Sequence, residues 1–214
     1  MTELKNVSLR PEIVDGTCMI ASDAQMVFYT TLINKGERLN AKLLTDIKYF
    51  TENQMMNKLY NVFDGNHHSI TFNINATSDN AGLAKESDGG TVKNLTILGK
   101  IATANKYAAA VIGTAAGGTT TISNVASYIT IETGVVGDGT HGGIVGVVNS
   151  AVNMKDCLFG GRIVGSSTNS CGGLVGWSSA ACHIDNCLQV GSMETDPSGG
   201  CTFSRNMGAV TVTN

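Results

Sequence analysis

The carboxyl groups are the side chains of this sequence best suited to catalysis. A carboxyl group can act as general acid, general base or nucleophile, and enzymes that cleave polysaccharides require two or three of them on one surface. Six candidates fall within its repetitive region: Glu132, Asp138, Asp156, Asp185, Glu194 and Asp196. Four of them lie in turns, and only Asp156 and Asp185 are placed to approach each other from neighbouring repeats. Such dispersed acids predict no catalytic residues, and therefore a protein that is not an enzyme.

A short segment brings together three types of metal ligand, in Cys182, His183, Asp185 and Cys187. On a strand, His183 and Asp185 face one side while Cys182 faces the other, so these ligands do not converge. No Cys-x-x-Cys pair occurs among the six cysteines. Cys157 and Cys187 occupy one column of the repeat, where in-register side chains would strain a disulfide. We therefore predict free thiols, no metal and no cofactor.

Trp177 is the only tryptophan and follows the segment Gly173–Gly176, at the place where Val147 stands in the preceding repeat. Two interpretations remain open for it. A lone aromatic residue often seals the edge of a core. An exposed indole would instead suit stacking against a sugar ring, which makes Trp177 a candidate ligand-stacking residue.

Composition excludes several classes of protein. The chain has 14 basic and 17 acidic residues among 214, and no cluster of Lys and Arg that would contact phosphates, so we expect no nucleic-acid partner. No apolar run reaches the roughly 18 residues of a membrane span. The start at Met1 has no apolar signal-peptide core, so we expect either a cytoplasmic protein or one whose signal was removed.

The second part of the chain contains a repeat of about 30 residues, which indicates the secondary-structure elements that would position these residues. Its clearest marker is a column of Asn or Asp spaced by 30, 32, 30 and 28 positions: Asn94, Asn124, Asp156, Asn186 and Asn214. The residue two before each of them is apolar, namely Val92, Ile122, Met154, Ile184 and Val212. Apolar positions alternate around the Asn, which is the period of a strand. Short strands of this kind bury a face only when repeats stack, so the asparagines are expected to form a hydrogen-bonded ladder between repeats.

The predicted fold is therefore mainly β, a right-handed parallel β-helix with a small helix-containing cap at its N-terminal end. The content of charged residues and of glycine differs between two parts of the chain: residues 1–88 hold 19 of the 31 charged residues and only 4 of the 26 glycines. We assign residues 1–57 to the capping region and 58–214 to the repeats. Ser22 is predicted to cap a helix that runs to about Asn34, and residues 51–60 are predicted to be loop.

A second marker resembles a known family. Gly143-Ile144-Val145-Gly146 and Gly173-Leu174-Val175-Gly176 are similar to the GLUG motif of bacterial surface proteins. The segment Phe63–Ile70 resembles the strand that precedes such repeats. Ala110-Val111-Ile112-Gly113 and Cys201-Thr202-Phe203-Ser204 depart from the motif at one and both glycines. The resemblance implies a secreted or surface-attached β-helix, often adhesive, without assigned catalysis.

Three functions follow as expectations. The leading one is a non-catalytic structural or adhesive repeat protein at the cell surface or outside the cell, with a protein or a glycan as its partner. The first alternative is a filament or phage-appendage subunit, located in a virion, that stacks head-to-tail. The second is a β-helical polysaccharide lyase or glycoside hydrolase, which would require clustered acids. The final strand is expected to be an assembly edge formed by Val210, Thr211, Val212, Thr213 and Asn214.

Overall fold

Alternating apolar residues form short strands throughout the chain. The computed structural model describes residues 9–201, 203–206 and 209–213. The strands of the N-terminal half are β1 (Glu12–Val14), β2 (Thr17–Ile20), β3 (Asn40–Leu43), β4 (Ile47–Phe50), β5 (Met56–Leu59), β6 (Val62–Asp64), β7 (Ser69–Ala76), β8 (Ala84–Ser87) and β9 (Thr91–Thr103). The middle strands are β10 (Ile112–Ala115), β11 (Thr120–Ser127), β12 (Thr130–Thr133), β13 (Gly137–Asp138), β14 (Val145–Val148), β15 (Val152–Lys155) and β16 (Leu158–Phe159). The last strands are β17 (Arg162–Gly165), β18 (Thr168–Asn169), β19 (Val175–Ser178), β20 (Cys182–Asp185), β21 (Leu188–Gln189), β22 (Ser192–Thr195), β23 (Ser204–Asn206) and β24 (Val210–Thr213).

β1 pairs with β2 in the antiparallel sense, and the other strands pair in parallel, most of them along three faces of a solenoid. The first face has the order β2-β3-β6-β9-β11-β15-β20-β24, and the third face has the order β5-β8-β10-β14-β19-β23. Between them, β4, β7, the end of β9, β12, β17 and β22 form the second face. Ile122 lies opposite Val92 and Met154, and Ile184 lies opposite Met154 and Val212. The parallel β-helix predicted from the repeat is therefore confirmed, and its apolar columns form the core.

The N-terminal helix, α1 (Asp23–Asn34), is also confirmed. The Ser22 hydroxyl accepts the backbone N–H of Gln25 at 3.2 Å, which satisfies one of the free donors at the helix start. Met26 and Tyr29 are fully buried, and the Tyr29 ring lies 6.1 Å from that of Phe63. Because α1 packs against β2, β4 and β5, it covers the core at this end of the solenoid.

The parallel ladder begins earlier in the chain than residue 58, where the sequence placed its start. β2 pairs with β3 in parallel, and β3 pairs with β6. Residues 51–60 are likewise more ordered than the predicted loop, since they contain a 3₁₀ turn (Glu52–Gln54) and β5. The reason is burial: Met56 and Leu59 are the apolar ends of a four-residue strand whose middle is polar, and both lie in the core.

The C-terminal strand β24 pairs with β20 on one side. Val212 is 50% exposed, whereas Ile184, its neighbour in the same column, is 1% exposed. The final residue of the predicted edge, Asn214, lies outside the described residues.

Candidate ligand-binding site

The third face of the solenoid aligns three outward side chains from successive coils. Thr114 of β10 lies opposite Val147 of β14, and Val147 lies opposite Trp177 of β19. This register is fixed because the flanking residues of each strand, such as Val145 and Val175, point into the core and are fully buried. The sequence position of Trp177 thus places its indole on an outer face, next to an aliphatic neighbour.

Tyr107 and Thr140 form a wall beside this face. Each belongs to a connection of the preceding coil and lies close to the sheet because a glycine, Gly146 or Gly176, stands opposite it. A Cβ at Gly146 would lie 2.7 Å from the carbonyl oxygen of Tyr107, and one at Gly176 would lie 2.7 Å from that of Thr140. Tyr107 and Thr140 have φ values of +65° and +46°, a left-handed conformation that turns the chain against the sheet. The last glycine of each GLUG-like segment is therefore needed for a close backbone contact.

The face and the wall enclose a cavity of about 370 Å³. The residues that line it are Tyr107, Thr114, Asp138, Thr140, Val147, Asn149, Trp177 and Arg205. Trp177 is half-buried and Asn149 is exposed at the rim, whereas Val147 is almost completely covered. Aromatic, hydroxyl, amide and charged groups in one concave surface are typical of a site for a small polar ligand.

The two charged residues that line the cavity, Asp138 and Arg205, lie close together. Nη1 of Arg205 donates to the carbonyl oxygen of Ser170 at 2.5 Å and to Oγ1 of Thr140 at 3.4 Å, and it lies 3.7 Å from Oδ1 of Asp138. The Thr140 hydroxyl donates to the same Asp138 oxygen at 2.5 Å. Lys106 approaches the second oxygen, Oδ2, at 3.9 Å. The carboxyl group of Asp138 thus lies at the edge of the cavity, where half of its side chain is exposed.

His141 lies directly behind this wall, and the sequence analysis named no role for it. It is completely buried; its Nδ1 accepts the backbone N–H of Ala108 at 3.1 Å and its Nε2 lies 2.9 Å from the hydroxyl of Thr133. Since Nδ1 accepts, the proton of the neutral ring is on Nε2, which donates to Thr133. Burial lowers the pKa of His141 to about 4. The imidazole is thus an uncharged support for the wall and does not reach the cavity.

The acids considered as catalytic candidates do not form a pair. Oδ1 of Asp156 accepts from the side-chain amide of Asn186 at 2.6 Å. Asp185 instead lies 3.2 Å from the ammonium of Lys155 and accepts the Thr213 hydroxyl at 2.8 Å. These hydrogen bonds and the ion pair lower the pKa of Asp185. Each of the two carboxylates is therefore engaged with different neighbours.

The predicted asparagine ladder is confirmed at two of its junctions, Asn94 to Asn124 and Asp156 to Asn186, and Asn214 lies outside the described residues. The amide of Asn94 donates to Asp64 at 3.0 Å, and that of Asn124 donates to Asn94 at 2.9 Å. Asn94, Asn124, Asp156 and Asn186 all have φ between +47° and +54°. Asn and Asp tolerate this conformation better than other residues with side chains, which explains their place at this bend.

The cysteines that were considered as disulfide or metal ligands form neither in the described structure. The six cysteines are free, and burial raises the pKa of Cys182 to about 12. Cys201 lies opposite Gly172, so the alignment of Cys201 with Gly173 in the sequence is wrong by one residue.

Within the described residues no group of His, Cys, Asp and Glu could hold a metal ion. No helix in the same part of the chain is long and apolar enough to cross a membrane.

Fold and cavity together define a parallel β-solenoid with a ligand-sized depression on its third face. The structure is similar to that of a putative immunoglobulin A1 protease from Bacteroides ovatus, with a TM-score of 0.63, 15% sequence identity, and coverage of 95% of this chain and 79% of the other. At this identity the likeness shows the fold alone. No protein-family model and no curated protein matches the sequence. The resemblance to GLUG-motif proteins therefore stays a prediction.

Proposed function

We propose that this protein is a non-catalytic β-solenoid that acts in adhesion at a cell surface or outside the cell, and that it binds glycans in the cavity around Trp177. The observation that carries the proposal is the composition of that cavity. A half-buried indole lies beside a carboxylate, an amide and three hydroxyl-bearing residues. A sugar presents C–H groups on one ring face and hydroxyls around its edge, and this set complements both.

Rigidity supports the same conclusion. Trp177 lies on β19, which is paired on both sides, and the wall is fixed by the buried His141 and by the backbone contacts at the glycines. A preformed site loses little conformational freedom when its ligand binds. A weak contact repeated over many molecules on a surface would then give useful avidity.

The proposal of a non-catalytic protein follows from the acids of the cavity. Asp138 is the one carboxylate among its lining residues, and it is already engaged by Thr140 and Arg205. Glycosidic hydrolysis needs a second carboxyl group about 5–10 Å away, as acid, base or nucleophile. Neither Asp156 nor Asp185 lines this cavity.

The proposal is tested by affinity electrophoresis through gels that contain single soluble polysaccharides, with the intact protein, Trp177→Ala and Tyr128→Ala. Tyr128 is an aromatic residue, 47% exposed, that does not line the cavity, so it is a matched control. We expect at least one polysaccharide to retard the wild type and Tyr128→Ala but not Trp177→Ala. Equal mobility of all three proteins in every gel would overturn the proposal, and so would release of new reducing ends from a retarding polysaccharide.

A further inference from the structure

The shape of the cavity indicates how a ligand would lie. Thr114, Val147 and Trp177 come from three successive coils, and parallel strands are about 4.8 Å apart. The floor therefore extends about 10 Å along the solenoid axis. Tyr107 and Thr140 form its wall, and Asn149 lies at its rim. A depression of this length matches two linked sugar rings better than one.

The hydrogen-bonding groups of the cavity that can still bind a ligand are suited to the hydroxyl groups of a sugar. Asp138 can accept from ligand hydroxyls, since its side chain is half exposed. Oδ1 of Asn149 accepts the Ser179 hydroxyl at 3.0 Å, which leaves the amide nitrogen as a donor. One acceptor and one donor at separate places can together bind the hydroxyls of a neutral sugar and orient its ring.

The charges disfavour an acidic sugar. Nη1 of Arg205 already donates to Ser170 and Thr140 and lies 3.7 Å from Asp138, and the ammonium of Lys106 lies 3.9 Å from the other oxygen of Asp138, so both cations are engaged by groups of the protein. A ligand carboxylate would lose its hydration and would approach the Asp138 carboxylate without gaining an uncommitted guanidinium. A neutral ligand meets neither penalty.

We infer that, if the proposed glycan-binding function holds, the ligand is an uncharged oligosaccharide of at least two hexopyranose units. It lies along the solenoid axis, with one ring stacked on Trp177 and with hydroxyls bound to Asp138 and Asn149.

The test is isothermal titration calorimetry with two matched panels. The neutral panel contains glucose, galactose and mannose with their β- and α-linked di- and trisaccharides. The acidic panel contains digalacturonic acid and sialyllactose. We expect a neutral disaccharide to bind at least tenfold more tightly than its monosaccharide and than either acidic ligand. Its affinity should change less than twofold between low and high salt, because no net charge is paired.

Two variants locate the contacts. Asp138→Asn and Asn149→Ala should each weaken binding of that disaccharide by about tenfold, the effect of losing a hydrogen bond in a desolvated site. Asn149 is outside the Arg205 network, so this variant remains informative if Asp138→Asn disturbs the wall. Circular dichroism establishes that each variant is folded, and Tyr128→Ala should bind like the wild type.

Two results would overturn the inference in distinguishable ways. Tighter binding of an acidic ligand, still lost in Trp177→Ala, would leave the glycan-binding function standing and refute the uncharged ligand. Neutral binding that is unaffected by both Asp138→Asn and Asn149→Ala would refute the assigned contacts. Absence of binding to every member of both panels, together with equal mobility in the polysaccharide gels, would refute the function as well.

Discussion

Asp156 interrupts the ladder of side-chain amides to which Asn94, Asn124 and Asn186 belong. An asparagine can donate to the coil before it and accept from the coil after it. Asn124 and Asn186 both donate in this way, to Asn94 and Asp156 respectively. A carboxylate has no proton to give to Asn124, and within the described residues no hydrogen bond joins the side chains of Asn124 and Asp156.

Replacement of that carboxylate should therefore stabilise the protein. In Asp156→Asn the new amide can donate to Asn124, and Asn is well suited to the φ of +54° at this position. We expect the free energy of unfolding to rise by about 0.5–1.5 kcal/mol, measured by urea denaturation at neutral pH. The control, Asn186→Asp, removes a donor next to Asp156 and should be destabilising. A loss of stability in Asp156→Asn would contradict the ladder as described.

His141 makes the stability of the wall depend on pH. Its pKa is about 4 in the folded protein and near 6.5 in an unfolded chain. Between these values the unfolded state binds a proton that the folded state does not, so folding is favoured fully above about pH 6.5 and progressively less as the pH falls. We expect a loss of roughly 3 kcal/mol from this group between pH 7 and pH 4.

The contribution of His141 is isolated by comparison with His141→Gln, in which the ionisable ring is absent. Urea unfolding at several pH values should show a steeper decline for the wild type than for this variant between pH 6.5 and pH 4. The carboxylates with lowered pKa, such as Asp64 and Asp185, are common to both proteins and cancel in the difference. Parallel profiles would show that His141 is not buried in the neutral form.

At the scale of elements, the GLUG-like segments owe their form to close contact between chain segments. The final glycine, as in Gly146 and Gly176, lies against the backbone of a left-handed residue in the preceding connection. The same contact occurs one coil earlier, where a Cβ at Gly113 would overlap the Cα of Asn80, another residue with positive φ. This packing fixes the wall of the cavity at a constant distance from the third face.

A single methyl group at this contact should be costly. In Gly146→Ala the new Cβ would meet carbonyl oxygens of Gly113 and Tyr107 at 2.5 and 2.7 Å, and backbone atoms cannot rotate away. We expect destabilisation of about 1–3 kcal/mol in urea denaturation. Gly134→Ala is the matched control, since its nearest neighbour would be 3.8 Å away, and it should change stability by less than about 0.5 kcal/mol. Similar values for both variants would refute the contact.

Much of this architecture could be predicted because it repeats. The apolar column from Val92 to Val212 and the asparagine bend each recur with one period. Stacking of the coils buries most of the apolar column and brings the asparagines into hydrogen-bonding distance. The cavity could not be predicted in the same way. Tyr107, Asp138 and Arg205 lie outside the repeated markers, and their meeting depends on irregular connections that the period does not describe. Trp177 was identified because its predecessor in the repeat, Val147, is aliphatic.

The coils before residue 58 were missed for a related reason. β2, β3 and β5 have only four residues each, and they lack the glycines and the asparagine that mark later coils. The apolar residues of β2 and β5 also pack against α1, so the alternation is obscured. Tertiary contacts with the helix, rather than local pattern, place them in the solenoid.

At the scale of the whole molecule, the two ends of the solenoid differ. One end is covered by α1, with Met26 and Tyr29 in the core. At the other, β24 pairs with β20, and in the described residues no strand pairs with its second edge. On the first face, however, the end next to α1 is formed by β1, which pairs with β2 in the antiparallel sense, so head-to-tail stacking would bring β24 against the edge of β1 that is unpaired within the described residues.

Association through β24 stays a prediction that sedimentation velocity can test. Val212 is half exposed, and Val210, Thr211 and Thr213 offer no charge that would oppose pairing with another strand. If this edge associates, the weight-average mass should rise with protein concentration in the wild type and remain that of a monomer in Val212→Lys. A monomer at every concentration in both proteins would rule out the assembly edge.

The fluorescence of Trp177 shows whether a ligand occupies the cavity, because this residue is the only tryptophan of the chain and its indole lines that cavity. The measurement is a titration with the polysaccharide that retards the protein, recording the emission maximum and quenching by acrylamide. A sugar ring stacked on the indole excludes water and quencher, so we predict a shift to shorter wavelength and a fall in quenching that both saturate with the binding isotherm. Unchanged emission and quenching at saturating ligand would place binding elsewhere and contradict the account.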